Sequence, residues 1–225
     1  MPISENAEIE VSAFDWVPDV ARGLVKDLRV RWMLEELGLP YRVRYVTAFG
    51  QKPEGYVKEQ PFEQVPTFSD GQVRLFESGA ILIYLGERDD RLLPRETEAR
   101  ARAIGWVCAA LSSVEYFIQT FALINGFWKD EEWAKLRRAA SEEMARLRLK
   151  QVADWLGDRE WLEERFTIGD MMMTTVLRIA EPFPLFEEFP TLQAYVARAT
   201  GRPAFKAALA AQLAGFTAAP PQQAA

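Results

Sequence analysis

Apolar and polar residues alternate along several short segments in the first part of the chain, and this period of two predicts β-strands. In the segment AEIEVSAF, Ile9, Val11 and Ala13 share one face, and YRVRYV alternates in the same way. The segments VPTF and QVRLF flank Asp70 and Gly71, a pair that favours a tight hairpin turn. The pattern therefore predicts two strands followed by an antiparallel hairpin.

Helical spacing of apolar residues appears between these strands. The segment LRVRWMLEELGLP carries apolar residues at this spacing from Val30 to Leu37, and Gly38 and Pro40 follow at its end. KPEGYVKEQ predicts a short polar helix or an irregular turn, and SGAILIYLGER predicts a helix with a continuous apolar face. The resulting order is βαβαββα, with parallel strands in the first βαβ unit and an antiparallel pair at the end.

The strand pattern disappears after Arg88. The charged stretch RDDRLLPRETEARARA contains Pro94 and predicts a linker that runs into a long helix. Helical periodicity then covers Trp106–Leu123, Trp133–Leu156 and Asp170–Ile179, with weaker helices at 191–199 and 204–213. We therefore expect an α/β domain over residues 1–87, a linker over 88–97, an all-helical domain over 98–215 and a disordered tail over 216–225.

The composition fits a globular protein with a sizeable core, since 49% of the 225 residues are hydrophobic and 27% are charged. A formal net charge of -6 argues against binding to nucleic acid, which normally requires a basic patch. The start of the chain has neither the basic nor the apolar part of a signal sequence, and no run of about 18 apolar residues follows. We expect a cytoplasmic protein with no membrane partner.

The chain contains no histidine and one cysteine. Without histidine there is no Ser-His-Asp triad and no His-ligated zinc. A single cysteine cannot form an internal disulfide, a Cys-x-x-Cys pair or a thiolate metal site, so we expect no bound metal. Cys108 lies in the apolar segment GWVCAAL, which predicts a buried small side chain and not a nucleophile.

The segment QVPTFSDGQVRLFESGAILIYL carries the most specific chemistry. Pro66 suits an edge strand with an ordinary trans bond, or a cis bond that frees the backbone of Val65 to pair with an extended peptide-like ligand. Glu77 and Ser78 suit a simple helix start. They also suit recognition of an amino-acid headgroup, because a helix N-terminus with a hydroxyl binds a carboxylate and an acid binds an ammonium group.

Three segments together carry a resemblance to a known family. QVPTF…DG…LFESGAILIYL resembles the glutathione-binding segment of the cytosolic glutathione transferases, and RVRWMLEELGLPY is similar to their first helix. FTIGDMM, in which Thr167 and Asp170 form a Thr-x-x-Asp capping pair, also matches. The resemblance runs from about Ile9 to Leu213 and implies a thioredoxin-like domain followed by an all-helical domain.

The resemblance implies that glutathione is a co-substrate. It implies a cis bond between Val65 and Pro66, and it implies that the backbone of Val65 pairs with the cysteinyl part of glutathione. It also implies that Glu77 and Ser78 hold the γ-glutamyl group. In the loop FGQKPEG, it offers Gln51 or Lys52 as a donor to the glycine carboxylate, although a solvated surface lysine is the alternative. Gln64 is a further candidate for lining the site.

One part of the family pattern is missing. Members place a Tyr, Ser or Cys near the start of the first helix to favour the glutathione thiolate. That position corresponds to about Leu24, and residues 15–28 contain none of the three. Backbone N–H groups near Gly23 and Leu24 offer one substitute, because a helix N-terminus lowers a thiol pKa.

Two alternatives to activation by these backbone groups stay open. A cation, Arg22 or Lys26, is one, and a site that binds glutathione without activating it is the other. Trp16 is either a shield for the thiol or a core residue.

The resemblance also implies an apolar pocket for a small hydrophobic electrophile. Aromatic residues of the long helix are candidates for its walls, and the alternative is that most of them are core: Tyr116, Phe117, Phe121, Phe127 and Trp128. The sequence thus favours a glutathione S-transferase, which the resemblance implies is a homodimer. The alternatives are a non-catalytic glutathione-binding protein on the same fold and a glutathione-dependent disulfide reductase.

Overall fold

The first part of the chain forms a four-stranded sheet. The computed structural model describes residues 3–219. The strands are β1 (Ile9–Phe14), β2 (Tyr41–Val46), β3 (Thr67–Ser69) and β4 (Arg74–Phe76), in the order β2-β1-β3-β4. β1 and β2 are parallel, whereas β3 runs antiparallel to both β1 and β4. This is the mixed sheet that the alternation predicted.

Three helices accompany the sheet: α1 (Asp27–Leu37), α2 (Tyr56–Glu59) and α3 (Ser78–Gly86). α1 ends at Gly38, whose φ of 65° is left-handed and therefore favours glycine. α1 packs against α3 and buries Val30, Met33 and Leu34, the residues whose helical spacing the sequence displayed. The predicted βαβαββα order of a thioredoxin-like domain is confirmed.

The second part of the chain is helical throughout the residues that the structure describes. Its helices are α4 (Thr97–Ala109), α5 (Tyr116–Ala122), α6 (Glu132–Leu156), α7 (Ile168–Leu177), α8 (Pro184–Glu187) and α9 (Pro190–Thr200). Two π-helical segments, Ala110–Glu115 and Leu123–Phe127, form one continuous helix together with α4 and α5. The sequence pattern missed α8, and the helix that it predicted over Trp106–Leu123 did not reveal the π-helical turns, since such segments are too short to display a period of their own.

The last helix, α10 (Pro203–Ala214), packs against α1 in the first compact unit. That unit comprises the chain up to Arg88 and the chain from Arg202 onward, and the second comprises Asp89–Gly201. The end of the predicted all-helical domain over 98–215 thus groups with the first unit, because an apolar helix face does not reveal the surface that covers it. Of the predicted disordered tail, residues 216–219 are irregular chain, and residues 220–225 lie outside the described residues.

Specific contacts attach α10 to α1. Arg202 donates from Nε and Nη2 to the Glu36 carboxylate at 2.6 and 2.8 Å. The Gln212 amide donates to Oδ1 of the buried Asp27 at 2.6 Å. Asp27 in turn forms a buried ion pair with Arg31 at 2.6 Å. Because an unsatisfied buried carboxylate is costly, α10 is an integral part of this unit.

The helix from Thr97 to Phe127 is long and apolar enough to cross a membrane, with a mean hydropathy of 1.5 in its most apolar stretch. This differs from the expectation that no segment of the chain has that character. Core helices of folded domains meet the same criterion, and here α4 packs against α7 and α5 packs against α6.

Cys108 is exposed on α4, so the prediction that it is buried is wrong. The apolar neighbours that suggested burial lie on other faces of the same helix, since Val107 is buried and the adjoining positions are not.

The N-terminus of α7 is closed by a capping box. Thr167 Oγ1 accepts a hydrogen bond from the Gly169 N–H at 3.2 Å, and Asp170 Oδ2 accepts one from the Thr167 N–H at 2.9 Å. Asp170 also accepts from the Leu162 N–H and from the Tyr195 hydroxyl, both at 2.9 Å. Burial raises the pKa of Asp170 to about 6, although these hydrogen bonds act in the opposite direction.

Candidate functional site

The strand register gathers the candidate residues at one edge of the sheet. Phe14 at the end of β1 pairs with Val46 at the end of β2. β3 is antiparallel to both of its neighbours, and its first residue, Thr67, pairs with Phe76 at the end of β4. The loops after β1 and β2, the segment before β3 and the start of α3 therefore lie side by side.

Val65 and Pro66 precede β3 at this edge. Both residues are buried, and the peptide bond between them is cis, as the family resemblance implies. Within residues 3–219, the backbone N–H and C=O of Val65 have no hydrogen-bond partner. An extended ligand can pair with these two groups as an added strand would.

Glu77 connects β4 to α3 in a strained conformation. Its φ of 68° lies in the left-handed region, which side chains other than glycine rarely adopt. The carboxylate is exposed, and no hydrogen bond or ion pair satisfies it among the described residues. Strain of this kind concentrates at functional sites, and this exposed carboxylate is free to bind a cation.

Ser78 is the first residue of α3 and is buried. Its Oγ accepts a hydrogen bond from Nη1 of Arg29 at 3.1 Å. A hydroxyl still has its own hydrogen to donate, so Ser78 can serve a carboxylate at the helix N-terminus. Sequence reasoning missed Arg29, although a charged residue on the buried face of α1 was a visible signal.

Lys52 is fixed within the loop after β2. Its Nζ donates to the carbonyl oxygens of Thr47 at 2.6 Å and Ala48 at 3.2 Å, and it lies 5.3 Å from the centre of the Phe14 ring. The alternative of a solvated lysine is therefore wrong, because two of its three N–H groups have protein acceptors. Gln51 and Gln64 are both exposed.

The backbone amide of Leu24 is already occupied. It donates to the Ala21 carbonyl at 3.0 Å, and α1 begins only at Asp27. The Leu24 N–H is therefore not a free donor, and the role of the other backbone N–H groups near Gly23 and Leu24 stays a prediction. Gly23 has a φ of 79°, so it forms part of the turn that leads to α1.

The other candidates in this loop are also tied to neighbours. Arg22 forms an ion pair with Asp19 at 3.2 Å and lies 5.8 Å from the centre of the Phe216 ring. Lys26 is half-buried at the N-cap of α1. Trp16 is half-buried and packs against Phe49, with ring centres 5.7 Å apart and the ring planes tilted by 58°. This contact joins the loops after β1 and β2.

An apolar cluster lies at the same edge of the sheet. Val65, Val46 and Tyr56 form it, and the half-buried side chains of Phe14 and Val25 pack against it. Val25, one residue beyond the predicted Leu24, is therefore the residue of the first-helix loop that packs against this cluster. Two cations border this cluster: Lys52 lies 5.3 Å from the centre of the Phe14 ring, and Arg44 lies 5.4 Å from the centre of the Tyr56 ring.

The aromatic candidates of the helical unit differ in exposure. Phe121 is buried and Phe117 is half-buried, whereas Tyr116 and Phe127 are 66% and 65% exposed. Trp128 is also exposed. The expectation that most of them are core is wrong, because the π-helical segments on both sides of α5 rotate the helix face relative to a regular period.

Comparisons with known proteins point to one family. The profile described as glutathione S-transferase, N-terminal domain, matches residues 21–87. The chain is similar to human glutathione S-transferase theta-2B, with 30% identity over 176 residues that cover 72% of this chain and 70% of the relative. It is also similar to the disulfide-bond oxidoreductase YghU of Escherichia coli, with 26% identity over 126 residues that cover 53% of this chain and 41% of that protein.

A solved structure supports the same fold over nearly the whole chain. It is that of a glutathione transferase family member from Pseudomonas fluorescens Pf-5, with two glutathione molecules bound. It matches with a TM-score of 0.80 and 27% identity, and covers 92% of this chain and 94% of its own.

Proposed function

Because the chain belongs to the glutathione S-transferase family, we propose that it binds glutathione at the sheet edge and presents the thiolate to a small hydrophobic electrophile. One observation carries the proposal: Thr67 pairs with Phe76, so the unpaired backbone of Val65 just before β3 and Glu77 and Ser78 just after β4 belong to the same edge of the sheet. These groups complement an extended tripeptide that has an amino-acid headgroup.

Each part of glutathione has a complementary group in the proposed complex. The γ-glutamyl carboxylate accepts from Ser78 and from the N-terminus of α3, and its ammonium group pairs with Glu77. The cysteinyl backbone pairs with Val65. The remaining N–H of Lys52 and the amide of Gln51 are the donors for the glycine carboxylate.

The protein's share in the reaction is positioning and charge. A free thiol is only a few per cent ionised at neutral pH, so a cation beside the sulfur increases the reactive fraction. Two cations border the apolar cluster, Lys52 over the Phe14 ring and Arg44 over the Tyr56 ring, and both are candidates for this role. The thiolate then attacks an electrophilic carbon and displaces its leaving group, or attacks a peroxide oxygen and releases the other oxygen as an alkoxide or hydroxide.

A glutathione-dependent disulfide reductase is the second candidate. Two features of relatives favour it: the Pseudomonas fluorescens structure holds two glutathione molecules, and the Escherichia coli relative is a disulfide-bond oxidoreductase. In this reaction, the thiolate of one glutathione attacks the sulfur of a mixed disulfide, forms glutathione disulfide and releases the other sulfur as a thiolate. The exchange needs no protein cysteine, so it is compatible with the single, exposed Cys108.

Calorimetry of glutathione binding tests the common part of both proposals. We expect the wild type to bind and Ser78→Ala to bind about 1–3 kcal/mol more weakly, since a charged partner loses its hydrogen bond. Ser113→Ala, at an exposed position in the helical unit, is the matched control with unchanged affinity. A wild type that does not bind glutathione would overturn the proposal.

Turnover assays then separate the candidates. Conjugation of glutathione to an aryl halide selects the transferase, and reduction of a mixed disulfide of glutathione selects the reductase. Binding with neither activity selects a non-catalytic glutathione-binding protein. We further expect a cytoplasmic protein with a role in detoxification, as in the family.

A further inference from the structure

A buried chain of hydroxyl groups connects both sides of the Val65–Pro66 segment. The Ser12 hydroxyl, on β1, accepts a hydrogen bond from the Thr67 N–H at 2.7 Å and lies 3.0 Å from the Tyr56 hydroxyl. The Tyr56 hydroxyl donates to the Gln64 carbonyl at 2.7 Å. Because a phenol has one hydrogen, Tyr56 must accept from Ser12, so the chain runs in one direction from Thr67 to Gln64.

This chain of hydroxyl groups is fully buried, and its hydrogen-bonding groups all have partners. Ser12 is 0% and Tyr56 1% exposed, and every hydroxyl hydrogen in the chain has an acceptor. Hydrogen bonds in series polarise one another, and a buried hydroxyl without a partner is costly. Both ends of the segment between Gln64 and Thr67 are therefore held in one arrangement.

The last hydrogen bond of this hydroxyl chain, at Gln64, determines where the Val65 N–H points. The Gln64 carbonyl and the Val65 N–H belong to one planar trans peptide group, in which the two bonds point in opposite directions. Since Tyr56 holds the carbonyl oxygen towards the core, the N–H of Val65 is directed away from it. The side chain of Gln60 fixes the approach to this peptide by accepting from the Phe62 N–H at 2.7 Å.

We propose that Ser12 and Tyr56 are positioning residues for glutathione, which hold the Val65 backbone in the orientation that pairs with the cysteinyl part. This inference rests on the proposed function. The two residues touch no substrate. They act through the peptide groups on either side of Val65 and Pro66.

The test is glutathione affinity in Tyr56→Phe, which removes one hydroxyl from a site that a phenyl ring still fills. We expect the dissociation constant to rise roughly three- to tenfold, as the loss of one hydrogen bond implies, with kcat at saturating glutathione within about twofold. Tyr84→Phe is the matched control, because its hydroxyl donates to Asp70 at 2.7 Å in the β3–β4 hairpin, away from Val65. We expect it to lose comparable stability and keep its affinity.

A double-mutant cycle separates positioning from general destabilisation. Ser12→Ala, Tyr56→Phe and the double variant should weaken glutathione binding less than additively, because either single change already breaks the chain. If the Tyr56→Phe variant binds glutathione as tightly as the wild type, this inference is overturned and the proposed function is left intact. A wild type that fails to bind would instead overturn the proposed function itself.

Discussion

Glu77 combines backbone strain with an exposed charge at a single residue. Its φ of 68° is in the left-handed region, where a residue with a side chain costs of the order of 1–3 kcal/mol. The strain persists because β4 ends at Phe76 and α3 begins at Ser78, so one residue must make the whole change of direction. The cost places the carboxylate beside the N-terminus of α3.

Glu77→Gly should separate this strain from function. Glycine tolerates positive φ, so we expect the free energy of unfolding to rise by up to about 1 kcal/mol, while glutathione affinity falls because the ammonium group loses its partner. Chemical denaturation and calorimetry measure the two effects.

Glu63→Gly is the matched control for this substitution. Glu63 has a φ of 55°, so the same relief of strain is expected, with glutathione affinity unchanged. Equal affinities for Glu77→Gly and the wild type would remove Glu77 from the site.

At the scale of secondary-structure elements, the contact between α4 and α7 depends on a glycine. A Cβ added to Gly169 would lie 2.6 Å from Cβ of Trp106 and 3.3 Å from the Ala103 carbonyl. These atoms belong to the helix backbone or lie next to it, so they cannot move without displacing α4. The close approach of the two helices therefore requires the absence of a side chain at this position.

Gly169→Ala should destabilise the protein by roughly 1–3 kcal/mol, the usual cost of overpacking a core. Gly105→Ala, on α4 with no atom within 4 Å of the added Cβ, is the control. Alanine favours helix, so this control should gain up to about 1 kcal/mol. Denaturant midpoints for the two variants that shift in the same direction would contradict the packing argument.

The capping box of α7 should make stability depend on pH. The pKa of Asp170 is about 6 in the folded protein and near 3.8 in the unfolded chain, because burial disfavours its charge. The folded state therefore retains the proton between about pH 4 and pH 6. The stability that this bound proton contributes is lost as the pH rises through this window. For a pKa shift of this size, the free energy of unfolding is expected to fall by roughly 3 kcal/mol.

Asp170→Asn tests this dependence, because asparagine does not titrate. The variant is expected to be less stable than the wild type at every pH, since the nitrogen of its amide cannot accept the hydrogen bonds that the carboxylate accepts. The informative quantity is the slope of the unfolding free energy between pH 4 and pH 6. Parallel slopes in the wild type and the variant would show that Asp170 does not titrate in this range.

At the scale of the whole molecule, the family resemblance leads us to expect a homodimer. Light scattering at micromolar concentration should give the mass of two chains, with no dependence on glutathione. The mass of a single chain under these conditions would contradict the expectation, without affecting the proposed glutathione site.

Much of the fold was readable in the sequence because the signals are local. Period-two alternation in β1 and β2, the Asp70–Gly71 turn and the Thr167–Asp170 capping pair all join residues close in the chain. The resemblance likewise indicated Val65, Glu77 and Ser78, whose surroundings the strand register brings to one edge. The start of the first helix was less readable, because the loop before α1 follows no period and α1 begins only at Asp27.

The sequence by itself determined the order of elements, the hairpin, the helix ends and the segment that we propose binds glutathione. Only the tertiary structure decided which distant groups meet: Ser12 with Tyr56, 44 residues apart, Arg29 with Ser78, 49 apart, and Asp27 with Gln212, 185 apart. The physical reason is that backbone propensities act between near neighbours. Buried polar groups instead find partners wherever packing brings them, and no pattern along the chain records that pairing.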